Sequence, residues 1–246
     1  MQKPIAGCGH SQWWQTVFAG LVFPLLLLGA CQTIPQPEDT AVIAIRVDAG
    51  VGMPTDAPRF LVDPEASEIR LLVYRAGPLA RFGHNHVVTG RVRGVIRAVE
   101  RAAESGFRLE IPVDSFVVDP RAARAEEGEE FAAEVSEEAR RATRENMLGK
   151  DMLDASGRPL IEIASIALAG PRWHPTVIAR ATLRGTTRVL RFPAAVVQQR
   201  ELLSVIAGFR IRQSDFALMP FSTLGGGLQV RDAIDIRLRI VARRAN

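Results

Sequence analysis

Cysteine is nearly absent from this chain of 246 residues: only Cys8 and Cys31 occur, both close to the N-terminus. A disulfide framework and a cysteine-ligated zinc site are therefore excluded for everything after Cys31. Lysine is equally scarce. Lys3 and Lys150 are the only two, so the 31 Lys+Arg that face 27 Asp+Glu are almost all arginine, and the net charge is only +4. No G-x-S-x-G nucleophile elbow is present. The run Gly225-Gly226-Gly227 lacks the Lys-Ser/Thr of a phosphate loop and reads as a turn. The arginines are spread over many segments instead of forming one patch, which argues against a nucleic-acid partner. No enzymatic activity and no cofactor are expected from these features.

What is present starts with an address. From Trp13 to Ala30 the chain is almost wholly apolar, just short of the ~20 residues a spanning helix needs. Pro24 inside it and a flank with only Lys3 suit a secretory signal better than a stable anchor. The segment ends Leu28-Gly29-Ala30-Cys31, which resembles the bacterial lipobox. Residues 1–30 are thus expected to be a lipoprotein signal peptide, with Cys31 acylated and membrane-attached after cleavage. Acyl chains at ~0.8 kcal/mol per buried CH₂ would make that anchor strong. Gln32 in place of Asp at the next position favours the outer membrane, which predicts a periplasmic location. Residues 31–59 read as a tether that opens polar and proline-bearing over 32–40 and holds one short apolar run, Val42-Ile43-Ala44-Ile45, before Gly/Pro/Asp turns. Residues 60–246 then form one domain, large enough to be held by its core alone.

Within that domain the dominant period is two. Ile234, Ile236, Leu238 and Ile240 alternate with Asp235, Arg237 and Arg239, the pattern of a half-buried strand. Similar segments recur over 69–75, 87–99, 107–116, 160–168, 177–187, 189–197 and 204–212, mostly separated by Gly, Pro, Asn or Asp. About eight sequential strands predict an all-β fold, an antiparallel meander closing into a barrel. One stretch departs from this pattern. Residues 121–147 are rich in Ala, Glu and Arg, with Phe131, Val135, Ala139 and Ala142 forming a thin apolar stripe, and predict one α-helical excursion. Its charge run reads as a solvated face.

The candidate site is Phe82-Gly83-His84-Asn85-His86. Histidines two apart on a strand share a side. The same parity continues through Val88, Val92 and Ile96, whereas Arg91, Arg93 and Arg97 take the other side. Both histidines are therefore expected to face the apolar interior. Two imidazoles on one face could orient a ligand or bind a metal, and His174 is the only third histidine beyond Cys31. The pair lacks the closed four-ligand set of a structural zinc site. Asp114, Asp119 and Asp215 are further polar candidates that the sequence does not bring together.

The order of landmarks resembles the YceI-like polyisoprenoid-binding family. The residues that carry the likeness are Val62-Asp63-Pro64, Gly83-His84-Asn85-His86 with Gly90 and Gly94, and Asn146-Met147 through Pro159-Leu160-Ile161. Further on come Thr182 to Thr187, Gly208 to Phe216 and Val230-Arg231-Asp232. Ala217 departs from the glycine common in that family after the Asp-Phe pair. The resemblance implies an extended, lipocalin-like antiparallel β-barrel whose apolar lumen holds an isoprenoid or similar long-chain lipid. On this reading the protein is a lipid-anchored carrier or sequestering protein. Phe82, Val88, Phe209 and Ile211 line the lumen, with His84 and His86 near its polar end. The alternatives are a metal- or haem-associated protein using His84 and His86, and a structural envelope lipoprotein with a solid barrel. An imperfectly closed barrel edge could also pair two copies as a homodimer.

Overall fold

The computed structural model describes residues 53–245. The apolar signal segment, Cys31 and most of the 31–59 stretch lie outside the described residues. The end of that stretch rests on the domain: the Arg97 guanidinium donates to the carbonyls of Thr55 (2.6 Å) and Ala57 (3.0 Å).

Among the described residues, twelve strands form a single antiparallel sheet. They are β1 (Arg59–Val62), β2 (Glu68–Ala76), β3 (His86–Arg91), β4 (Arg93–Arg97), β5 (Gly106–Pro112), β6 (Val117–Val118), β7 (Leu160–Ala169), β8 (Thr176–Leu183), β9 (Thr186–Gln199), β10 (Leu202–Arg212), β11 (Ser222–Thr223) and β12 (Leu228–Arg244). Pairing runs β1–β4–β5–β7–β8–β9–β10–β12, and β12 returns to β1 through Phe60↔Arg244 and Val62↔Ala242. This closes an eight-stranded barrel, the all-β architecture expected from the alternation.

Three staves of the barrel are broken in two. β12 pairs β1 at its C-terminal end and β2 over Gln229–Arg239, so β1 and β2 are two halves of one stave. β3 and β4 form another, parted at Val92, which explains why 87–99 reads as one strand in the sequence. β5 and β6 are parted by a 3-10 turn, Val113–Ser115. The alternation itself is well kept. In β8, Val177, Ala179, Ala181 and Leu183 point into the buried interior and their neighbours do not. Arg184 and Gly185 both have positive φ, 49° and 80°, and form the two-residue turn between β8 and β9.

The last break opens the wall. β5 pairs β7 as far as Pro112↔Leu160, whereas β6 beyond the turn pairs β3 alone among the described residues. The chain between β6 and β7 fills this gap. The single helix expected there is two, α1 (Arg121–Ala125) and α2 (Glu137–Leu148). Ser136 caps α2 by accepting from the Ala139 amide (3.2 Å), so the helix begins after Phe131 and Val135. The stripe that pointed to one helix therefore mixes loop and helix positions. Phe131 instead packs with Leu72, Val87 and Ala123 in a small core on the outer face of β2 and β3.

The acidic run is not simply solvated. Glu127 is almost fully buried between Arg70 (2.9 Å) and Arg237 (2.8 Å), and Arg70 also holds Glu126 (2.9 Å) and Glu68 (2.8 Å). Burial would lower the Arg70 pKa, but its hydrogen bonds to these three carboxylates outweigh that and raise it. Arginines on the outer faces of β2 and β12 thus pin the excursion against the barrel.

Candidate functional site

The interior of the barrel holds a cavity of about 370 Å³ in the half bounded by α2. Small inward residues help to leave this space, Ala181 of β8 among them. The same face of α2 that meets the gap, Ala139, Thr143, Asn146 and Met147, forms part of the cavity wall at helical spacing. Its mouth lies by Phe82 and Phe221, both exposed and both in the lining. Leu71, Val73, Ile161, Ile234 and Ile236 make the walls hydrocarbon.

All six residues singled out from the sequence line this cavity: Phe82, His84, His86, Val88, Phe209 and Ile211. Alternation along the strands accounts for this. His86 and Val88 are both in β3, where Val87 and Thr89 take the opposite side. His84 precedes the strand, and its ring meets that of His86 edge-on at 6.4 Å. Phe209 and Ile211 are two apart in β10. Cys31, the expected anchor, lies outside the described residues.

Behind His86 lies an arrangement the sequence did not reveal. Asp119, fully buried and with φ of 52°, ends the β6 segment. One of its carboxylate oxygens meets His86 Nδ1 at 2.6 Å. The other accepts from the Val87 amide (2.9 Å) and Arg124 Nη1 (2.5 Å). Arg124 also donates to the carbonyls of Asn85, Phe131 and Ala133. Asn85 in turn accepts from the Arg75 amide (3.0 Å) and donates to the Glu130 carbonyl (3.0 Å). Every member of this buried network finds partners, as a buried polar group requires.

The network sets the state of the histidines. Burial alone would raise the Asp119 pKa, but the hydrogen bond and charge of His86, the Val87 amide and Arg124 outweigh it and hold it below the ordinary aspartate value. An ionised carboxylate only accepts, so the proton of this hydrogen bond sits on Nδ1 of His86. Nε2 is then the remaining polar atom of a ring that lines the cavity. His84 has its pKa lowered by burial first, then by the neighbouring His86 and Arg124 charges, which favours its neutral form. The cavity therefore offers hydrogen-bonding imidazoles in a mostly apolar space, whose other polar lining residues are Arg75, Thr143, Asn146, Gln213 and Gln229.

The third histidine is not brought to the pair. His174 packs on Trp173 (5.9 Å) in the loop between β7 and β8. Among the described residues no group of three or more His, Cys, Asp or Glu side chains could hold a metal ion. Of the three aspartates considered, Asp119 alone joins the histidines. The only sequence signal for it is the Asp119-Pro120 pair, which marks a turn but not the histidine it faces 33 residues earlier in the chain.

The sequence matches the YceI-like domain over residues 60–242. No curated protein matches the sequence. Among solved structures, Burkholderia cenocepacia BcnA is similar at 17% identity and a TM-score of 0.49, covering 73% of this chain and 98% of its own. The Campylobacter jejuni YCEI protein is similar at 13% identity and a TM-score of 0.45, covering 63% of this chain and 82% of its own. The family match spans the whole closed barrel, from β1 into the end of β12, and the chain belongs to the YceI-like family.

Proposed function

We propose that this protein is a lipid-anchored carrier or sequestering protein that holds a polyisoprenoid or similar long-chain lipid in its barrel lumen. The observation that carries this reading is the cavity of about 370 Å³, walled by hydrocarbon and opening at Phe82 and Phe221. Sites for small apolar ligands combine such walls with a few polar groups that fix orientation. Here those groups include His84 and His86, with Asp119 holding the second ring in place. The tail would lie inward along Val88, Ile211 and Phe209, gaining roughly 25 cal/mol per Å² of apolar surface removed from water. A polar head would then remain at the histidines. Binding of this kind needs no catalytic group.

The Leu28-Gly29-Ala30-Cys31 sequence supports attachment through an acylated Cys31, in the periplasm and on the outer membrane, with residues 1–30 removed. A cavity in half of the lumen speaks against a barrel packed solid by its own side chains. The metal reading would require a further ligand beside His84 and His86.

The test is mass spectrometry on the full chain expressed in a bacterial host, comparing native with denatured spectra. A released mass matching a long-chain lipid is the expected result, reduced in the paired variants His84→Ala and His86→Ala. Release of a metal-sized mass, lost in the same variants, would transfer the site to a metal. No released mass, and no uptake of added long-chain lipid, would rule out the carrier.

A further inference from the structure

The barrel interior holds a second cavity of about 80 Å³ beyond the first. Phe209 and Ile163 line both, and Phe192 lines the second only. The Phe192 and Phe209 rings are stacked, with centroids 4.2 Å apart and planes 15° from parallel, and both residues are buried. The register of β9 with β10 explains the pairing. It runs Leu202↔Gln199 to Ala207↔Ala194, and two residues further it sets Phe209 opposite Phe192. Pro193 has no amide hydrogen and cannot continue the ladder, so packing of the two rings holds the strands together where hydrogen bonding lapses. Inward positions flanking the pair are small, with Ala194 and Ala207 lining the second cavity and Ala181 the first.

We propose that the Phe192–Phe209 stack is the floor of the binding site and sets the longest chain the protein accepts. This inference rests on the lumen being the ligand site, as argued above. A chain entering past Phe82 and His86 runs along Ile211 and meets the Phe209 ring before it reaches the second cavity. Going further would require parting two stacked, buried rings. It would also bring methylenes towards the Gln198 side chain in the second cavity's lining, whose buried Oε1 has no hydrogen-bond partner among the described residues. A hydrocarbon cannot supply one. Chain length is therefore selected by a definite stop and not by a gradual loss of fit.

The proposal is tested with the full chain in bilayer nanodiscs, offered an equimolar mixture of straight-chain primary alcohols of graded length. Retained alcohols are identified by mass spectrometry against empty nanodiscs. In the unaltered protein, retention should climb by up to about fourfold per added methylene, the ratio that ~0.8 kcal/mol per buried CH₂ gives, and then stop climbing at one length. Phe209→Ala should move that break to longer chains by merging the two cavities, and Phe192→Ala should move it the same way. Ala181→Phe, which fills space above the stack, should move it to shorter chains, so one variant that fails to fold does not decide the matter. Retention that rises with no break, or a break unmoved in all folded variants, overturns the stop and leaves lumen binding standing. No retention at any length overturns both.

Discussion

The two ends of the barrel use different means of holding shape. Around β1 the wall is a continuous ring, and Phe60, Val92, Leu203, Ile240 and Ala242 are almost fully buried in the main core. Around β3 and β6 the wall is split, α2 lines the gap, and the interior is a cavity. At the closed end, apolar packing alone suffices because side chains meet across most of the lumen and leave only the cavity of about 80 Å³. At the open end few of them do, and a polar network behind His86 takes over, with Asp119 joining β3 to Arg124 and Arg124 joining both to the loop at Phe131. An interior space has to be held open from its wall, and in this protein the wall is held by buried charge.

That contrast can be broken in several ways. The largest expected effect is at the closed end. Phe60→Ala should destabilise the protein by about 3–5 kcal/mol, measured by urea denaturation, since it removes a fully buried aromatic ring from the core. A cost below about 1 kcal/mol would mean that this end is not the stable part. At the open end, Asp119→Asn keeps the side-chain shape but leaves Arg124 without its buried counter-charge. It should cost about 3 kcal/mol, with hydrogen exchange accelerating at the Val87 amide more than at Leu203. Equal acceleration at both would show that the two ends unfold as one unit. Ile211→Ala, at a cavity wall, should cost less than truncation at Phe60, under about 2 kcal/mol, because much of its side chain already faces open space.

Acid should act on the open end first. The His84 pKa is lowered in the folded protein, so on acidification the unfolded chain takes up its proton first. Stability then begins to fall near the unfolded histidine value, about pH 6.5. Asp119 has a lowered pKa as well, so its contribution is complete above the unfolded aspartate value of about 3.9 and is lost as the pH falls through the folded one. His84→Ala should remove the first decline and leave the second, as followed by denaturation at stepped pH. The smallest effect is at Ala217, which occupies the left-handed region at φ of 57° and ψ of 28°. Ala217→Gly should stabilise by no more than about 1 kcal/mol, because relief of strain is partly offset by the greater freedom of glycine when unfolded.

Much of this was readable from residue order. The alternation of apolar and polar residues at period two specified the strands, their inward faces and the antiparallel barrel, because that period leaves one choice of face for each strand. Parity alone put His84, His86 and Val88 on the lumen side and Arg91, Arg93 and Arg97 outside it. The excursion was readable as non-strand but not as two helices, since Phe131 and Val135 happen to fall at helical spacing while serving a core on the outer face. The strand break at Val92 was hidden because alternation continues through it, whereas at Val113–Ser115 the buried apolar positions shift by one, from Leu109, Ile111 and Val113 to Phe116 and Val118.

Tertiary structure alone decided the rest. No local pattern tells that Asp119 will meet His86, that Glu127 will be buried between Arg70 and Arg237, or that Phe192 will stack on Phe209. Each of these contacts joins residues on different elements, and each depends on the register and closure of the barrel. A period of two fixes which way a side chain points. What it meets there is set by the neighbouring strand, and the size of the space left over is set by all the strands together.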